Sequence, residues 1–250
     1  MNALLIVILG VLQGLLEWIP ISSQGNLVIL MTSLFGVSVN EALSISIYLH
    51  TGTMLAAIVY YRREIKSLFK SRNKELLNFF LIATLITAVV GGLLYFFVRG
   101  LSTVLGSYFI ALIGISLIIT GLIQWRRTQG YKSETDNKDA LITGIAQGFS
   151  IIPGISRSGV TTSTLLFRGL NASTAIKLSF MLSIPAILIA EIGMGVLEGF
   201  VISAEALLGI GAAFVTGLLM IGLLTRLAQK LKFAKMCIIL GALSLIQLIA

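Results

Sequence analysis

The chain has 250 residues, 57% of them hydrophobic and 11% charged, with a mean hydropathy of +1.02. A soluble domain carries about 25% charged residues, so too few are present to cover a water-facing surface, and the bilayer must be the main solvent. The formal charge of +8 would suggest nucleic acid in a soluble protein, but its distribution points elsewhere. The single cysteine, Cys237, excludes an intramolecular disulfide and any Cys/His metal cluster.

The first apolar run, 3–12, has no positive n-region and no small-residue cleavage site after it. It is expected to stay in the mature protein rather than act as a signal peptide. It opens a stretch, 4–36, that Glu17-Trp18-Ile19-Pro20-Ile21-Ser22-Ser23-Gln24-Gly25-Asn26 interrupts. Each arm has roughly 10 to 16 residues, too short to cross comfortably but able to reach mid-membrane at about 1.5 Å per residue. A re-entrant hairpin is predicted, because broken backbone at that depth must be buried in protein or line a wet cavity. Spans follow at 41–61, 77–98 and 103–125. A second interrupted stretch, 139–170, is broken by Ile152-Pro153-Gly154-Ile155-Ser156-Arg157-Ser158-Gly159 and predicts a second hairpin. Spans at 173–193, 206–226 and 234–250 complete the chain.

Basic residues gather in three loops: Arg62, Arg63, Lys66, Lys70, Arg72 and Lys74; Arg126, Arg127, Lys132 and Lys138; Arg226, Lys230, Lys232 and Lys235. The connection 99–102 holds only Arg99, and 194–205 holds Glu198 and Glu205 but no cation. By the positive-inside rule the three basic loops are cytoplasmic, so the excess charge sets topology and no nucleic-acid surface is needed. A hairpin returns to its own side, and three spans separate the two hairpins. The first therefore enters from the outer face and the second from the cytoplasmic face.

Short motifs agree with that parity. Gln13-Gly14 is followed by Ser22-x-x-Gly25, and Gln147-Gly148 by Ser156-x-x-Gly159, with an offset of 134 throughout. Pro20 and Pro153 stand near the two breaks, one residue out of step. The expected fold is an all-α polytopic membrane protein forming one membrane domain, 1–250. It consists of two inverted-topology repeats, 1–125 and 126–250, each a re-entrant helical hairpin plus three transmembrane helices. Such repeats place their site at the repeat interface, near the midplane.

Each returning hairpin helix would aim its N-terminus, with unpaired N–H groups and the positive dipole end, at the membrane centre, where it favours an anion. Ser22 and Ser23 stand at one such end, Ser156 and Ser158 at the other; as residue types they also suit plain N-caps. Arg157 is the telling residue, because a guanidinium at mid-membrane is costly unless an anion or a cavity receives it. Its fork suits phosphate or carboxylate, and a pair with Glu17 is compatible with that. Glu17 and Gln13 lie at i, i+4 on one helix face. Two roles suit Glu17, a general base or an oxygen ligand for Mg²⁺ or Ca²⁺. His50, the one histidine, sits about 14 Å into its span, level with the hairpin tips. It suits acid–base chemistry or a helix-packing hydrogen bond. Glu191, deep in the span 173–193, reads as a second buried acid in a pair or near a helix end.

These residues resemble the undecaprenyl-diphosphate phosphatases of the bacitracin-resistance type. Gln13-x-x-x-Glu17 looks like that family's (E/Q)xxxE motif, and Pro20-Ile21-Ser22-Ser23-Gln24-Gly25 like its PxSSxG. Pro153-Gly154-Ile155-Ser156-Arg157-Ser158-Gly159-Val160-Thr161 matches its PGxSRSGxT, which is long and specific. The resemblance covers essentially the whole chain. It implies hydrolysis of a polyprenyl diphosphate to the monophosphate, recycling the lipid carrier of cell-wall or glycan assembly at the plasma membrane. It also implies functional roles for Glu17, Ser23, Ser156, Arg157 and Thr161, and dependence on a divalent cation, Mg²⁺ or Ca²⁺, with Glu17 the metal-associated position. The family usually has histidine after the SSxG glycine, where this chain has Asn26. His50 or Glu17 is expected to take over its proton-shuttling role.

Catalytic roles are thus expected of Glu17, Ser23, His50 and Arg157, and substrate binding of Gln13, Ser22, Asn26, Ser156, Ser158 and Thr161. The expected partners are the polyprenyl diphosphate, membrane lipids and a second copy of the chain as a homodimer, with no nucleic acid. A flippase or secondary transporter of the same architecture is the alternative.

Overall fold

The computed structural model describes residues 2–70, 74–105, 108–125, 130–198, 203–227 and 234–246. Apart from one isolated bridge between Lys132 and Leu170, their regular structure is helical. In chain order the helices are α1 Ala3–Leu16, α2 Ser23–Phe35, α3 Val39–Tyr60, α4 Arg62–Lys70, α5 Lys74–Leu105, α6 Phe109–Trp125, α7 Asn137–Gly148, α8 Arg157–Phe167, α9 Ala172–Glu198, α10 Ala204–Leu227 and α11 Ala234–Ile246. Helices α3, α5, α9 and α10 are long and apolar enough to cross a membrane, while α6 and α11 are apolar but shorter.

The predicted spans 41–61, 173–193 and 206–226 coincide with α3, α9 and α10. The span 77–98 lies inside α5, which continues through the expected connection at 99–102 to Leu105. The residues that read as a loop there are satisfied on the helix. Arg99 Nη1 donates to Asn40 Oδ1 at 3.3 Å, its guanidinium lies 5.9 Å from the centre of the Tyr95 ring, and Ser102 Oγ donates to Asn40 Oδ1 at 2.8 Å. The expected span 103–125 loses its first residues to α5 and stands as α6. The first basic loop contains a helix, α4. Positions 71–73, 126–129 and 228–233 of the basic loops, and 247–250 of the expected last span, lie outside the described residues.

Two helical hairpins carry the polar motifs. In the first, α1 and α2 have 14 and 13 residues; in the second, α7 and α8 have 12 and 11. Pro20, without an N–H, cannot continue α1, and the chain turns through Ser22 at φ 60° before α2 begins. In the second break, Gly154 at φ 96° takes the left-handed conformation that a side chain disfavours. Each returning helix is then capped by its own serine: Ser22 Oγ accepts from Gly25 N at 3.3 Å, and Ser156 Oγ from Gly159 N at 3.1 Å.

Small residues seat the hairpins against long helices. A Cβ on Gly10 of α1 would run into the Gly209 carbonyl of α10, and one on Gly14 into Thr216. In the second hairpin, a Cβ on Gly144 of α7 would meet the Ala83 carbonyl oxygen of α5 at 2.7 Å, and one on Gly148 would meet Val90 at 2.6 Å. Such contacts let backbones approach closely where lipid offers no hydrophobic drive. The outward face of α5 carries Leu81, Leu85, Val89, Leu93 and Phe97, all exposed. A stripe of that length suits hydrocarbon rather than water.

Candidate active site

The two hairpin tips meet in the interior, and Glu17 lies at their junction. It follows α1, its carboxylate group only 5% exposed, and side chains from α1 and three other helices converge on it. Gln13 Nε2, one turn back on α1, donates to Oε2 at 2.9 Å. Ser23 Oγ, the first residue of α2, donates to the same oxygen at 2.7 Å. His50 Nε2, on α3, stands 3.2 Å from it. Arg157, the first residue of α8, pairs with Oε1 through Nη2.

The second hairpin holds Arg157 from behind. Its Nη1 donates to the Ser179 carbonyl of α9 at 3.3 Å. Thr161 Oγ1 donates to the Arg157 carbonyl at 2.7 Å and lies 2.5 Å from Ser179 Oγ. A guanidinium has five N–H donors, so beyond these two bonds it still has donors for an anion. His50 is oriented in the same way. Nδ1 lies 2.6 Å from the Ser46 carbonyl, an acceptor, so Nδ1 carries the hydrogen. Nε2 therefore faces the pair of Glu17 and Ser23, 3.5 Å from Ser23 Oγ. There it can accept a proton from the hydroxyl or, when protonated, donate to the carboxylate.

A cavity of about 260 Å³ opens beside this cluster. Its polar end is lined by Glu17, Ser22, Ser23, Gln24, His50, Ser156, Arg157 and Ser158, with Gln147 and Ser150 from the second hairpin. Its other end is an apolar slot between α5 and α9, from Gly91, Gly92 and Phe96 to Ile187, Gly193 and Leu197. A Cβ on Gly92 or Gly193 would meet nothing within 4 Å, so the slot is unobstructed at both.

The structure thus brings Glu17, Ser22, Ser23, His50, Ser156, Arg157 and Ser158 to one wall. Gln13 and Thr161 stand behind Glu17 and Arg157 as struts. Asn26 is turned away, its Nδ2 donating to the Ile21 and Ser22 carbonyls at 2.8 Å each, where it braces the turn. Glu191 accepts from Thr51 Oγ1 at 2.8 Å, next to His50 in sequence. The sequence reading passed over Thr87 of α5, which lines the cavity and accepts from Gln147 Nε2 at 3.1 Å. It also passed over Thr120 and Gln124 of α6. Polar residues four apart in an apolar run were the available signal.

The oxygens offered to a metal at the cavity are hard ones, the Glu17 carboxylate and the Ser23 hydroxyl, and behind them the buried Gln13 Oε1 has no hydrogen-bond partner. Among the described residues no group of three His, Cys, Asp or Glu side chains could hold a metal ion. Such a set does not suit a transition metal. It fits Mg²⁺ or Ca²⁺, which a single carboxylate can hold when substrate phosphates complete the shell.

The chain as a whole is similar to known proteins. The family model of bacitracin resistance protein BacA matches residues 6–243. An undecaprenyl-diphosphatase of Methanococcoides burtonii is 43% identical over 254 residues, covering 96% of this chain and 96% of the relative. One of Methanothrix thermoacetophila is 40% identical, covering 98% and 96%. One of Haloarcula marismortui is 36% identical, covering 98% and 97%.

Proposed function

The chain belongs to the bacitracin resistance protein BacA family, and on that premise we propose how its cavity hydrolyses undecaprenyl diphosphate to the monophosphate and phosphate, recycling the lipid carrier. One observation carries the mechanism: a carboxylate, a hydroxyl, an imidazole and a guanidinium from four helical segments meet at the polar end of a cavity that is otherwise apolar. The diphosphate sits at that end, bound by Arg157 and by the N-terminus of α8 with Ser156 and Ser158. The prenyl chain runs into the slot between α5 and α9. Glu17, with the Ser23 hydroxyl, would hold the divalent cation, which when bound neutralises charge on the diphosphate.

Ser23 Oγ attacks the terminal phosphorus and its proton passes to Glu17 or His50. The Oγ–P bond forms as the bond to the bridging oxygen breaks, and the monophosphate leaves on that oxygen. Water then attacks the phosphoserine with Glu17 or His50 as base, releasing phosphate and restoring the hydroxyl. Charge stabilisation by Arg157 is the largest contribution, since phosphoryl transfer asks for positioning and electrostatics more than covalent chemistry.

The two halves, 1–125 and 126–250, act as inverted-topology repeats in the plasma membrane, with the basic loops cytoplasmic. Three correspondences at the offset of 134 support this reading. The capping serines Ser22 and Ser156 correspond, as do the close-packing glycines Gly10 and Gly144, and Gly14 and Gly148. Each half also seats its first helix on a long helix of the other half, α1 on α10 and α7 on α5. Inversion brings two N-termini of opposite direction to one anion. A flippase or transporter finds no support among the relatives.

Phosphate release from defined undecaprenyl diphosphate by the purified protein, with and without chelator, tests the activity and the metal. Lipid movement without phosphate release would overturn it. Arg157→Ala is expected to lose several orders of magnitude and Arg157→Lys to keep a fraction, because an ammonium restores charge but not the fork. Acid quenching during turnover should trap phosphate on Ser23; label found only in free phosphate would assign the attack to water.

A further inference from the structure

Helix α6 is apolar except for one face, where Ser116, Thr120 and Gln124 stand four residues apart and are all buried. That face meets both hairpin tips. Gln124 Nε2 donates to the Pro20 carbonyl at 2.5 Å, an oxygen that also accepts the weaker bond of Cys237 Sγ at 3.2 Å. Thr120 Oγ1 donates to the Gly154 carbonyl at 3.1 Å and accepts from Ser156 N at 3.1 Å. Pro20 and Gly154 are separated by 134 residues, the spacing at which the two motifs repeat. Two corresponding carbonyls, one per hairpin, are thus received by side chains one turn apart on a single helix. The tips also bond directly, Ser22 Oγ accepting from Gly154 N at 3.1 Å.

We propose that Thr120 and Gln124 are positioning residues that fix the distance between the nucleophile hairpin and the arginine hairpin. Neither lines the cavity. Pro20 precedes Ser23 by three residues, and Ser156 immediately precedes Arg157. A tip that lost its bond to α6 would carry its reactive group with it, while the lipid slot, built from α5 and α9, would stay as it is. Buried polar groups at this depth also have no water to fall back on, so the bonds are either made to these carbonyls or not made at all. The loss should therefore appear in kcat and not in KM for the lipid. This rests on the phosphatase reading for its kinetic arm and on geometry alone for its distance arm.

The test uses the full-length protein in detergent with Thr120→Val, which keeps shape and removes both bonds, Gln124→Leu, and Thr120→Ser as the conservative variant. The first two are expected to lower kcat roughly 100-fold, the cost of an ångström-scale misplacement. KM should stay within about threefold, the melting temperature should change little, and Thr120→Ser should recover most of the rate. In a second arm, spin labels at Gln24→Cys and Ser150→Cys report the tip-to-tip distance in a Cys237→Ala background, which removes the second donor to the Pro20 carbonyl. The distribution should widen with Thr120→Val and Gln124→Leu and stay narrow with Thr120→Ser. A normal kcat, a loss that merely follows the folded fraction, or an unchanged distance distribution overturns the proposal. If the unsubstituted protein releases no phosphate, the phosphatase reading fails, and the distance arm still decides the role of α6.

Discussion

At the scale of single residues, Arg157 was legible from the sequence because a guanidinium within an apolar stretch has no other solvent to face. The hydrogen bond from Thr161 to the Arg157 carbonyl was not, since a motif gives the type and spacing of a residue but not the direction of its side chain. Asn26 makes the same point, because it holds the turn rather than facing the cavity. His50 was foreseen by its depth, and the structure adds that its Nε2 stands between Glu17 and Ser23. Replacing His50 with Ala is expected to lower turnover by roughly 10²- to 10⁴-fold, the usual weight of acid–base help, with folding intact. Near-normal phosphate release would end that role. Adding Asn26→His to the same protein should not rescue it, because the turn points that position at the Ile21 and Ser22 carbonyls.

At the scale of elements, the breaks were readable from Pro20 and Gly154, whereas the continuity of α5 across 99–102 was not. Its Arg99 and Ser102 look like loop residues until Asn40 of α3, distant in sequence, supplies their partners. Gly10→Val should cost about 1–3 kcal/mol of overpacking, because the new side chain meets α10 backbone, and should show as a lower melting temperature. Helices α7 and α8 are joined at their open end by a clasp. Lys132 Nζ lies 2.5 Å from Asp139 Oδ2, and Arg168 Nε donates to Asp139 Oδ1 at 2.7 Å. The Asp139 N–H donated to Asp136 holds the Asp136 carboxyl below its ordinary value, helped by Lys132. Burial works against the Lys132 ammonium, yet its bonds to Asp139 and Asp136 raise it overall. The Asp136 contribution is therefore present above about pH 3.9 and lost as pH falls through its depressed value; the Lys132 contribution is present below about pH 10.4 and lost as pH rises through its raised value. Melting in detergent across pH should show a plateau with an acid shoulder that Asp136→Asn reduces. Both groups are partly solvated, so the effect should be small and should shrink with salt.

For the molecule as a whole, the all-helical class and the four long apolar helices were legible from apolar run lengths, because lipid leaves few ways to hide a backbone. The slot between α5 and α9 was not legible, since it depends on which glycines face each other across two helices far apart in sequence. Gly193→Leu tests the slot. The position has open space, so the fold should tolerate it, while hydrolysis of undecaprenyl diphosphate should fall well below that of a short-chain prenyl diphosphate. Equal loss on both substrates would place the prenyl chain elsewhere. The pairing of α1 with α10 also has a consequence for biogenesis. Helix α1 is made roughly 200 residues before the helix that seats it, and at about 5–20 residues per second the gap lasts on the order of 10 to 40 s. Throughout that interval Gly10 and Gly14 lack the α10 surface that they close against in the finished fold.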